Sequence, residues 1–87
     1  MRMTTKQVIL MTCLADKNPD GSFLDLDQLL DKLRDSYRWE TTKPSLQFSI
    51  RALVEEEIIE KLPREKRRGR QRAVLALTDL GMRVLGR

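Results

Sequence analysis

Apolar positions along this chain follow helical spacing first and strand-like runs later. Val8, Ile9, Leu10, Met11, Cys13 and Leu14 cover most of the circumference of a predicted helix over residues 6–16, capped by Thr4 or Thr5. A helix apolar on so many sides is expected to be largely buried. The KNPDGS stretch at 17–22 carries the Asn-Pro and Asp-Gly breakers of a turn, and Phe23-Leu24 reads as a short extended piece. Asp25 then caps a second helix, with Gln28 as its capping-box partner. Leu26, Leu29, Leu30 and Leu33 share one face of it, and Asp27, Asp31 and Asp35 the other. Three carboxylates on successive turns diverge into water, so they read as a solvated acidic face and not as a metal site. Tyr37 and Trp39 follow and are expected to pack against the edge of the core.

Thr42 caps a third helix predicted over 43–57, with Pro44 tolerated in its first turn. Leu46, Ile50, Leu53 and Val54 form its buried stripe. The opposite face carries Pro44, Ser45, Phe48, Arg51 and Ala52, with Gln47 and Ser49 at its margins. Phe48 has three readings: a contact with a thymine methyl, a dimer contact, or closure of the core. After the acidic run Glu55-Glu56-Glu57, residues 58–62 and 72–77 read as two strands, with Gly69 in the turn between them. The exposed tip of this hairpin is KRRGR, residues 66–70. Thr78 caps a short fourth helix, where Gly81 allows close packing and Leu80, Val84 and Leu85 dock inward. The expectation is one domain over 1–87, mainly α with a small β-hairpin, in the order α-α-α-β-β-α.

Charge sharpens this picture. The 87 residues carry a net charge of +4. The ten residues from Pro63 to Arg72 hold six basic side chains (Arg64, Lys66, Arg67, Arg68, Arg70 and Arg72) against Glu65. That local surplus of five leaves the rest of the chain at −1. A concentrated basic patch on a near-neutral body attracts polyanions, and arginine's planar fork suits phosphate. There is no histidine and only one cysteine, Cys13. Ser-His and Cys-His nucleophile pairs and thiolate metal clusters are thereby excluded, and no cofactor or metal is expected. Cys13 reads as a small core residue. No apolar run approaches the roughly 18 residues of a membrane span. The protein is expected to be soluble, cytoplasmic and nucleoid-associated, and not an enzyme.

Two stretches carry a resemblance. SLQFSIRALVEEEIIEKL (45–62) resembles the recognition helix and first wing strand of the winged helix-turn-helix regulators, such as the PadR-like and MarR-like groups. RQRAVLALTDLGMRVL (70–85) resembles their second wing strand and the LT-x-x-G start of the following helix. The likeness has family spacing over about half the chain. One departure stands out: these regulators usually place glycine between recognition helix and strand, where this chain has Glu57, and a left-handed backbone there is costly for glutamate.

The resemblance implies sequence-specific binding of double-stranded DNA in transcriptional control. Lys43, Ser45, Gln47 and Arg51 are the polar candidates for the major groove, joined by Phe48. Arg67, Arg68 and Arg70 are expected to reach the minor groove or its phosphates, and Arg64, Lys66 and Arg72 to hold the backbone. Replacing Arg68 by alanine is then expected to lower the salt slope of binding by about one unit. A homodimer fits a palindromic site, with Met3 and Met11 of the first helix as its contact surface. Two other readings stand beside this one. One is a protein-binding winged helix that uses Glu55–Glu57 or the wing, and the other a nucleic-acid-binding accessory of replication or RNA processing.

Overall fold

The computed structural model describes residues 3–86. The elements are α1 (Thr5–Asp16), α2 (Leu26–Tyr37), α3 (Lys43–Glu55), β1 (Ile59–Arg67), β2 (Arg70–Leu77) and α4 (Asp79–Leu85). Local chemistry accounts for the helix starts. Thr4 and Gln7 form a reciprocal capping box on α1, and Asp25 and Gln28 form another on α2. Thr42 and Thr78 each accept a backbone N–H from the residue three further on, capping α3 and α4.

The three long helices close on the hairpin around one core. Leu10, Leu14, Leu29, Leu33, Leu46, Leu53, Ile58 and Leu75 lie at its centre. Each such side chain contributes about 2 kcal/mol through removal from water. Met11 belongs to this core and is fully buried, so it cannot form the dimer contact expected of it. Cys13 is buried too, and burial pushes its thiol pKa up. Trp39 packs on the core edge with the Lys6 ammonium 5.1 Å from its ring centre, and Tyr37, 38% exposed, reaches the buried Cys13 thiol with a hydrogen bond.

α3 ends earlier than the 43–57 expected. Ile58 N–H donates to Leu53 O and Glu57 N–H to Val54 O, both at 3.0 Å, and Glu57 sits at φ 62°. These are the two bonds of a Schellman cap, with buried Leu53 and Ile58 as its accompanying apolar pair. Glutamate therefore occupies the left-handed position that glycine would fill at less strain.

β1 and β2 pair antiparallel, and they run further than the aliphatic segments alone: the basic stretch is itself strand up to Arg67. Only Arg68 and Gly69 form the turn, both at positive φ (50° and 79°), as a tight hairpin turn requires. Leu62 pairs with Val74 and Glu65 with Arg72, so Pro63 and Arg64 together face Ala73 in a β-bulge. Proline has no N–H for the ladder, and a bulge is where a strand tolerates it. On the far side of β2, Leu24 O accepts from Leu75 N–H at 2.9 Å, and Asp25 bridges Val74. The extended piece at Phe23-Leu24 thus edges the hairpin.

Candidate nucleic-acid interface

The bulge decides which charges share a face of the sheet. Directly paired residues share a face of the sheet. Lys61 pairs with Leu75 and, beyond the bulge, Lys66 pairs with Gln71, which places both lysines on the face shared with Ala73 and Leu75. Glu65 and Arg67, paired with Arg72 and Arg70, fall on the other face. Without the extra residue the alternation would be reversed.

A channel runs between α3 and the edge of the hairpin, lined from the wing by residues of both sheet faces. One part is lined by Lys43 and Gln47 from α3 and by Arg64, Arg70 and Arg72 from the wing, over Asp25 and Asp27. The adjoining part is lined by Gln47, Arg51, Lys61 and Arg64 over Leu26, Ile50 and Leu75. Gln47 and Arg64 belong to both. The structure thus gathers Lys43, Gln47, Arg51, Arg64 and Arg70 around one groove. Ser45 is exposed on α3, and Phe48 stands 73% exposed, which removes its core-closing reading. Phe48 also borders a shallow groove with Thr4, Gln7 and Trp39.

The six basic side chains of the wing divide into two groups. Arg64, Lys66 and Arg70 are exposed and make no ion pair among the described residues. Arg67 and Arg72, expected to reach outward, are instead largely buried against the protein, whereas Arg68 is paired with Asp25 but keeps 47% of its side chain exposed. Arg67 Nη1 donates to Phe23 O at 2.7 Å and Gln28 Oε1 at 3.0 Å, while its Nε and Nη2 both donate to Glu65 Oε2. Only 14% of its side chain is exposed. Arg68 Nη2 donates to Asp25 Oδ2 at 2.8 Å, and Arg67 Nη1 lies 3.6 Å from the same oxygen. Asp25 is 1% exposed, and its other oxygen accepts the Gln28 N–H as the cap of α2. Arg72 pairs with Asp27 and donates from Nε to Arg67 O.

Asp27 also receives Lys43 Nζ at 3.1 Å, a bond between the first turns of α2 and α3. That hydrogen bond, reinforced by the charges of Lys43, Arg72 and Arg68 against partial burial, holds its carboxyl below the usual range. Asp31 and Asp35 both pair with Arg34. Asp31 and Asp35 keep 63% and 65% of their side chains exposed, so the acidic stripe is solvated there as expected, and only Asp27 departs because α3 and β2 bring cations onto it. At the other end of α3 the charge reverses. Glu55, Glu56 and Glu57 are exposed, and Glu57, Glu60 and Asp79 lie around a groove that includes Val54 and the partly exposed Leu80.

Three participants escape a reading of the sequence. Lys61 lies within an aliphatic strand, and only the pairing register places it beside Arg51's end of the channel. Gln71, which lines the channel beside Arg70 and Arg72, has no distinguishing signal. Asp25 is recognisable as a cap, but its role as the partner of Arg68 depends on a tertiary approach.

No protein-family model matches the chain, and no curated protein matches it in sequence. Among solved structures it is similar to the crystal structure of Bacillus subtilis PadR in complex with operator DNA, with a TM-score of 0.76 and 14% identity over 98% of this chain. The match covers 45% of the PadR chain, so this chain spans less than half of that protein's length. At this identity the likeness is one of fold: four helices and an antiparallel hairpin in the order α-α-α-β-β-α form a winged helix.

Proposed function

We propose that this winged helix binds double-stranded DNA as the reading module of a transcriptional regulator. The observation that carries the reading is the channel in which α3 and the hairpin place Lys43, Arg51, Lys61, Arg64 and Arg70 around Gln47. α3 enters the major groove by its N-terminal half, where Ser45, Gln47, Phe48 and Arg51 meet base edges. Arg64, Lys66 and Arg70, which carry no ion pair among the described residues, meet phosphates and set register, while Lys43 stays paired with Asp27. Arg67, Arg68 and Arg72 hold the wing in place. The acidic end of α3 stays outside the groove, since Glu55–Glu57 repel phosphate. The similarity of this fold to PadR, which was crystallised in complex with operator DNA, supports the DNA-binding reading.

Titration of random-sequence duplex at two salt concentrations tests this. Three cations on phosphates give a log–log salt slope of roughly −3. A slope near zero, or no binding at low salt, overturns the reading.

A further inference from the structure

Asp25 stands out among the charges of this interface. It is a buried carboxylate at the start of α2, beside β2, and it faces the tip of the wing. A buried carboxylate is stable only when its oxygens are satisfied. Gln28 N–H at 2.9 Å satisfies one, and Arg68 Nη2 at 2.8 Å satisfies the other. Arg67 packs alongside, with its donors spread over Phe23 O, Gln28 and Glu65. Arg68 reaches this partner from a left-handed backbone (φ 50°), a strained choice for arginine. The tip is therefore tied to the scaffold through Arg68, whose side chain stays 47% exposed, at a carboxylate that lines the same hollow as Arg64 and Arg70.

We propose that Asp25 is a positioning residue for the wing. It holds the tip ordered against the start of α2, and it keeps the Arg68 guanidinium off the phosphate backbone when the hairpin meets DNA. This rests on the DNA-binding reading. The phosphate contacts of the wing then come from Arg64, Lys66 and Arg70, and the Arg68→Ala effect expected from sequence does not follow.

The test pairs two variants with the wild type in salt titrations against random duplex. Asp25→Asn keeps an oxygen for the Gln28 N–H but offers Arg68 an amide in place of the second oxygen. Freed Arg68 should steepen the log–log slope by about one unit and raise affinity at 0.1 M salt roughly five- to tenfold. The Gly69 amide should become mobile on the ps–ns scale in ¹⁵N relaxation, while α1 and α4 keep their wild-type amide shifts. Arg68→Gly, which suits the left-handed turn, should leave the slope of the wild type unchanged. The double variant should return to the wild-type slope. A wild type that does not bind duplex overturns the DNA reading and this proposal with it. A wild type that binds, with the slope unchanged in Asp25→Asn or reduced by one unit in Arg68→Gly, overturns this proposal alone. Should Asp25→Asn fail to fold, the Arg68→Gly slope decides.

Discussion

Asp25 and Arg68, 43 residues apart in the chain, meet at 2.8 Å and join the cap of α2 to the tip of the hairpin. The contact changes the character of the wing. A basic turn loaded with guanidinium groups suggests a mobile arm, yet Arg67 is buried against the scaffold and the half-exposed Arg68 is paired with Asp25. Arg67 and Arg70 are cross-strand neighbours, an arrangement that like charge disfavours. Glu65 and Asp25 relieve it by taking up the charge of Arg67. What remains outward is a shorter set of cations aligned with α3.

The cap of α3 is the clearest place to stabilise the fold. Glu57 holds φ 62° in a Schellman position, and its carbonyl accepts the Thr78 hydroxyl at 2.5 Å. Glu57→Gly keeps that carbonyl and relieves the left-handed strain, and should stabilise the protein by about 1 kcal/mol. Thermal melts should rise by roughly 4–8 °C. A melting point unchanged or lower would contradict the strain argument.

Gly81 behaves oppositely. Alanine is the better helix former by about 1 kcal/mol, but a Cβ at this position would run into Ile58 O and crowd Leu77. Ile58 O is also the acceptor for Thr78 N–H, so it cannot retreat freely. Gly81→Ala should destabilise by about 1–3 kcal/mol in denaturant unfolding.

Acid should loosen the tie between α2 and α3. The Asp27 carboxyl is held below its ordinary pKa, first by the Lys43 hydrogen bond. A depressed carboxylate contributes stability above its unfolded value near 4, and that contribution is lost as pH falls through the lower folded value. Asp27→Asn should therefore be less stable than wild type at pH 7, and the gap should narrow below pH 4. Melting curves for both proteins across pH 2–7 check this.

Phe48 separates binding from stability. At 73% exposure its replacement by alanine should alter stability by no more than about 0.5 kcal/mol. Against a duplex selected from a randomised pool, Phe48→Ala should lose roughly three- to tenfold in affinity. Replacing thymine by deoxyuracil in that duplex removes the C5 methyl. It should reproduce the loss in wild type and add nothing in Phe48→Ala; additive losses would place the phenylalanine away from the methyl.

Much of the fold is legible in the sequence because its signals are local. Thr4 with Gln7, Asp25 with Gln28, and Thr42 and Thr78 announce their helices within four residues. Glu57 announces its own strained backbone by standing where a glycine is wanted. The hairpin's length is not legible, since arginines and lysines in a strand look like those in a loop until the partner strand pairs with them. Pro63 marks the bulge only once the register is known, and the bulge reverses which wing residues share a face of the sheet. Met11 illustrates the same limit: a helix apolar on nearly all sides does not say which side is left over. At the site, the α3 face was readable from period alone. The division of wing arginines into outward and inward sets depends on Asp25, Asp27 and Phe23, about 40 residues upstream.

The most direct test of DNA reading by α3 and the wing is amide shift mapping during titration with a short duplex. The account predicts perturbations concentrated at residues 43–51, 61, 64, 66 and 70, with Glu55–Glu57 and Leu80 little moved. Perturbations centred instead on the Glu57, Glu60, Asp79 and Leu80 groove, with the channel residues silent, would contradict it.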